Sequence, residues 1–179
     1  METVTNISVP TKDQVNAESQ AIFNQLESQL GFVPNMYATI GYSSDTLSNY
    51  LAFNGNAGKG TFSKREVEAI KLAVSDANEC AYCKAAHTAM AKMNGFSDEE
   101  ALKLRKASIE DEKLNVLATL AREVSENAGR VSEESRQRFF DAGYDEKALI
   151  DFVSVVIAVT FTNYVYGLTE IPVDFSKVG

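Results

Sequence analysis

The sequence predicts an all-α fold in a single domain. Three observations carry this. Apolar residues recur at helical spacing along most of the chain, Ser, Thr, Asn and Asp residues stand where caps are needed, and Gly or Asn-Gly closes the periodic runs. A chain of 179 residues, 45% hydrophobic, is long and apolar enough to bury one core.

Taken in order, Thr11 is expected to cap a helix to about Gln29, with Val15, Ile22, Phe23, Leu26 and Leu30 on one face and Gly31 as its stop. Pro34 opens a short segment. Ser44 or Asp45 starts a helix carrying Leu47, Tyr50, Leu51 and Phe53, and the glycines at 55, 58 and 60 make residues 54–61 a loop. Ser63 and Glu66 form a capping box ahead of Val67, Ile70, Val74 and Ala77. Residues 75–78 read as a junction, with Asn78 as N-cap of a helix that ends at Asn94-Gly95. A second capping box, Ser97 to Glu100, opens a helix to about Ala107, and a longer one covers Asp111 to Glu126. Ser132 caps a helix stopped by Gly143, and Asp145 caps the last, from Glu146 to about Val165. That helix is apolar around most of its circumference, which predicts central burial or sharing with another subunit. Residues 171–175 read as extended.

Charge narrows the possible partners. A net charge of −8 and a pI near 4.7 argue against nucleic acid and anionic membranes. Residues Met1 to Asn6 lack the basic start of a signal peptide. The most apolar stretch, Phe152 to Phe161, is about half the length needed to span a bilayer. The chain therefore reads as soluble and cytoplasmic, a compartment where two cysteines do not form a structural staple.

Both cysteines and the only histidine fall within Cys80-Ala-Tyr-Cys83-Lys-Ala-Ala-His87. On a helix these positions share a face. Thiols at this spacing can close a short-loop disulfide, and a histidine one turn on can move protons for them. Buried cysteines and a satisfied histidine are the bland alternative. Reactivity requires the thiolate, and two features supply help. Position 80 lies in the first helical turn, where free N–H groups favour negative charge, and His87 lies one turn beyond Cys83. The first favours Cys80 as nucleophile and the second favours Cys83.

A further carboxylate is expected from the preceding helix. Glu66 is occupied in the capping box, whereas Glu68 borders the apolar stripe and can turn inward. Pattern alone also allows Glu68 to be an ordinary solvated glutamate. The run from Ser63 to His87 resembles the alkylhydroperoxidase D-like branch of the carboxymuconolactone decarboxylase family. The shared pattern is Glu-x11-Cys-x2-Cys-x3-His, matched by Glu68, Cys80, Cys83 and His87, within a core at about 45–110. The resemblance implies a helical bundle of the alkylhydroperoxidase D-like type that assembles as trimers or multiples of them. It also implies a thiol peroxidase that uses no cofactor. Cys83 would attack a hydroperoxide, Cys80 would donate a proton and then resolve the sulfenic acid as a disulfide, and Glu68 and His87 would relay protons. An external dithiol or a lipoyl-bearing protein would restore the thiols.

Where some family members carry a histidine between the cysteines, this chain has Tyr82. The family's decarboxylases lack the cysteine pair, which argues against the lactone decarboxylase reaction here. The segment Pro34 to Tyr37 is expected to line or cover the site. Two rivals remain: zinc held by Cys80, Cys83 and His87 with Glu68 or water, and a non-catalytic helical oligomer with a redox switch.

Overall fold

The computed structural model describes residues 7–176. The reading of Met1 to Asn6 lies outside them. Among the described residues the structure is all-helical: α1 Ala17–Leu30, α2 Asn35–Ile40, α3 Ser44–Asn56, α4 Lys64–Ala77, α5 Ala81–Met93, α6 Asp98–Arg105, α7 Glu112–Glu126, α8 Glu133–Asp141 and α9 Glu146–Thr169.

Capping chemistry accounts for most boundaries. The Ser63 hydroxyl accepts the Glu66 N–H while Glu66 Oε2 accepts the Ser63 N–H at 2.8 Å. Ser97 and Glu100 repeat the pattern at α6. Asp111, Ser132 and Asp145 cap α7, α8 and α9.

Four expectations are corrected. Thr11 opens only a 3-10 turn, Lys12–Gln14, because Val15 is extended (φ −115°, ψ 164°); Asn16 then caps α1. Gly55 lies inside α3 rather than in a loop, since its position is open and the last turn closes with the Ala57 N–H on Phe53 O. Asn78 is not the N-cap of the cysteine helix. It ends α4, Glu79 takes a left-handed φ of 53°, and Cys80 itself is the N-cap. Finally, α9 runs four residues past Val165, to a left-handed Glu170.

Helix α4 is the hub. It packs against α5, α6, α7 and α9, and every residue from Glu68 to Asp76 is buried. One core cluster joins α4 to α7, α8 and α9 through Ile70, Val74, Leu117, Phe139, Phe152 and Val155. Another fills the space under α6 with Leu72, Ala91, Phe96 and Leu104. The third gathers Phe23, Met36, Leu47 and Tyr50 with Cys80, Tyr82, Cys83 and Ile171, so the cysteines sit between the N-terminal helices and the C-terminal tail.

Helix α9 divides its apolar surface. Phe152, Val155, Val156 and Val159 face the core. Ile150, Val153, Ile157, Tyr164 and Leu168 are exposed on the opposite side. By length and composition alone α9 could cross a membrane, with 44% of its apolar window buried inside the protein; the short apolar stretch read from sequence is thus part of a longer one.

Candidate active site

The capping box at Ser63 sets the start of α4, and one turn later Glu68 points into the interior. The chain leaves α4 through a tight reversal. The Glu79 N–H donates to Asp76 O at 3.1 Å and the Cys80 N–H to Ser75 O at 3.0 Å, satisfying carbonyls that the helix end would orphan. Glu79 pays the cost of a left-handed non-glycine residue, about 1–2 kcal/mol. The result is that α5 begins directly on Cys80.

The Cys80 sulfur does the work of a cap. It accepts the Cys83 N–H at 3.2 Å. Cys80 and Cys83 are joined as a disulfide with Cα atoms 5.3 Å apart, and both are buried. One turn on, His87 Nδ1 lies 2.9 Å from Glu68 Oε2, with both side chains largely sheltered from solvent. With Glu68 ionised, the imidazole donates from Nδ1 and keeps Nε2 as an acceptor. The structure thus brings Glu68 and His87 together across α4 and α5, and places them on the same helix pair as the cysteines. Glu66 stays in its cap and is further held by the Tyr144 hydroxyl at 2.5 Å.

Other groups surround this set. Lys71 is buried, donating to Asn54 Oδ1 at 2.8 Å; burial pulls its pKa down and the charge of Glu68 opposes that. Tyr37 of α2 has its phenol pKa pushed up by burial and then by Glu68. Tyr50 of α3 is pushed up mainly by burial, with Thr162 drawing it back. The Thr162 hydroxyl of α9 lies 3.7 Å from Cys83 Sγ.

Tyr82 stands between the cysteines in sequence and is buried. Its hydroxyl accepts the Met36 N–H at 3.2 Å. Asp174 of the tail accepts the Asn35 N–H at 2.7 Å, and Asn35 Nδ2 donates to Pro172 O at 3.0 Å. Pro34 offers no capping side chain, so Tyr82 and Asp174 cap α2 from elsewhere in the chain. The Phe175 ring packs edge-on against Tyr82 at 5.6 Å. Pro34 to Tyr37 and the tail therefore lie against the cysteine helix as one strap.

Sequence reasoning missed Tyr50, Lys71, Thr162, Asn163 and Asp174. Their only signal was polarity in the wrong place: Lys71 inside an apolar stripe, and Thr162 and Asn163 inside an apolar helix. Asn163 is buried, accepts from Asn78 Nδ2 at 2.9 Å, and leaves its own Nδ2 without a partner. Among the described residues no group of three or more His, Cys, Asp or Glu side chains is arranged to hold a metal ion.

Comparison with known proteins adds the family. Residues 44–124 match the carboxymuconolactone decarboxylase family. No curated protein matches the sequence. Among solved structures, an uncharacterized peroxidase-related protein from Silicibacter sp. TM1040 is similar at 24% identity and a TM-score of 0.82, over 94% of this chain and 91% of that one. A peroxidase-related protein from Ralstonia eutropha JMP134, described as an alkylhydroperoxidase AhpD core, is similar at 20% identity and 0.82, over 97% and 94%. The debrominase Bmp8, seen in complex with 2,3,4-tribromopyrrole, is similar at 18% identity and 0.78, over 97% and 93%. Residues 44–124 therefore carry the match to the carboxymuconolactone decarboxylase family, and the chain as a whole has the fold of the alkylhydroperoxidase AhpD core.

Proposed function

We propose that this chain is a thiol-dependent peroxidase acting on hydroperoxides. The observation that carries the reading is the placement of a disulfide-forming Cys80–Cys83 pair on the same two helices as a hydrogen-bonded Glu68–His87 pair. Glu68 and His87 take the proton from Cys83. The Cys83 thiolate attacks the terminal peroxide oxygen and the O–O bond breaks. The alcohol leaves with a proton, and Cys83 becomes a sulfenic acid. The Cys80 sulfur displaces that hydroxyl as water, forming the disulfide. An external dithiol or a lipoyl-bearing protein then reduces it by exchange. Cys80, as N-cap, competes for the role of first nucleophile, because the α5 N-terminus favours charge on its sulfur. Proximity of His87 and the family pattern support Cys83.

The test is rapid mixing of the reduced protein with an alkyl hydroperoxide. The expected result is oxidation of the pair faster than that of free cysteine. Equal rates would sink the proposal, as would about one zinc per subunit in protein purified without chelator.

A second reading draws on the aromatic wall of the site, where Tyr50 stacks on Phe161 at 5.0 Å and Tyr37 lies 6.2 Å from Tyr50. The same two thiols could remove bromide from a bromoarene: thiolate takes bromine, the arene takes a proton, and the second thiol expels bromide to form the disulfide. Bromide release without peroxide consumption would favour this reading.

We also propose a homo-oligomer assembled through α9. Ile150, Val153, Ile157, Tyr164 and Leu168 are exposed at intervals close to a coiled-coil seam, a surface suited to a second copy of the same helix. Ile157→Glu should lower the mass seen by light scattering; an unchanged mass would remove α9 from the interface.

A further inference from the structure

We propose that Thr162 is a positioning residue that holds the Cys83 thiolate. The inference rests on the reading of Cys83 as the attacking sulfur and adds to it a partner from α9.

The geometry begins with what Cys83 lacks. Its sulfur is buried, and its own N–H is committed to Cys80 Sγ. A thiolate there has lost water and needs a donor. The Thr162 hydroxyl is 3.7 Å away and 6% exposed. In the disulfide the sulfur has neither proton nor charge, and the Thr162 O–H donates instead to Val159 O at 2.8 Å. That carbonyl sits within α9, where the helical pattern already supplies a backbone N–H, so losing the hydroxyl leaves it paired. Rotation about one C–O bond turns the Thr162 proton from Val159 to the sulfur.

Tyr50 stacks on Phe161, the neighbour of Thr162 in sequence, and so packs this stretch of α9 against α3. Titratable groups on the elements around Cys83 include Glu68 and Lys71 on α4, Cys80, Tyr82 and His87 on α5, Tyr37 on α2 and Tyr50 on α3. The Cys83 proton leaves to the Glu68–His87 pair or to water; Thr162 gives and takes none.

The test is a thiol titration in a Cys80→Ser background, where serine keeps an N-cap oxygen and Cys83 is the only thiol. Thiolate absorbance is followed against pH. Adding Thr162→Val should lower the thiolate fraction near neutral pH about tenfold, one unit in the apparent midpoint. Thr162→Ser should restore it. Melting curves check that each variant folds; if Thr162→Val does not, Thr162→Ala takes its place. An unchanged titration, or failure of Thr162→Ser to rescue, overturns the proposal. Peroxide plays no part in the measurement, so a chain inactive on peroxide with a Thr162-dependent titration would refute the peroxidase reading alone.

Discussion

His87 Nδ1 and Glu68 Oε2 are 2.9 Å apart, joining α5 to α4 through side chains only 12% and 9% exposed. A hydrogen bond sheltered to this degree fixes the imidazole and determines which ring nitrogen is left to accept a proton. It spans 19 residues of sequence and depends on the reversal at Glu79 that folds α5 back along α4.

The first prediction follows from that contact. Glu68→Gln preserves shape and hydrogen bonding but removes the charge. His87→Gln removes the base. Each should slow peroxide reduction by about 10²–10⁴ at neutral pH, the usual contribution of a general acid–base group. The loss should shrink at high pH, where hydroxide removes the thiol proton unaided. A Glu68→Gln rate equal to wild type across pH would take Glu68 out of the relay.

The cysteine roles are separable by trapping. Cys83→Ser should abolish peroxide reduction. Cys80→Ser should leave a sulfenic acid on Cys83 that a dimedone-type reagent captures, with no disulfide formed. Capture on Cys80 in the Cys83→Ser protein would reverse the assignment and give the N-cap sulfur the nucleophilic role.

The strap over the cysteine helix makes a third prediction. Tyr82→Phe leaves the Met36 N–H without its buried acceptor, a loss of about 1–2 kcal/mol. The α2 amides should exchange with deuterium faster by a factor of roughly 5–30. Reduction of the disulfide by a small dithiol should accelerate with them. Unchanged exchange in α2 alongside faster reduction would show that access to the sulfurs does not depend on this strap.

Most of the helices were legible because caps and periodicity are local. The preference for Glu68 over Glu66 was readable from the capping box alone, whereas the contact of Glu68 with His87 was not. The Asn78 error has a physical source: asparagine is a frequent N-cap and a thiol is not, yet the left-handed Glu79 moves the helix start to Cys80. Thr162 was beyond reach, since it meets Cys83 across 79 residues and looks in sequence like one more residue of an apolar helix. The tail reads in sequence only as extended, because its role in capping α2 through Asp174 spans 139 residues.

The last prediction concerns Asp76, the buried carboxylate at the end of α4. Lys106 Nζ and Arg122 Nη1 each lie 2.9 Å from Oδ2, and Arg105 Nε lies 3.2 Å from Oδ1. Burial alone would raise its pKa. The hydrogen bonds from Lys106, Arg122 and Arg105 outweigh that and hold it below the ordinary 3.8. A carboxyl whose folded pKa is depressed stabilises the fold above its unfolded pKa, and that stability is lost as pH falls through the folded value. Asp76→Asn removes the one carboxylate charge that Arg105, Lys106 and Arg122 share, so it should cost about 3–5 kcal/mol at pH 7. On acidification the wild-type carboxyl itself becomes neutral. The stability gap between the two proteins should therefore hold down to about pH 4 and close below it. Urea unfolding of both proteins over that range checks the claim, and a gap that persists unchanged at the acid end would mean that packing around residue 76, rather than its charge, ties α4 to α6 and α7.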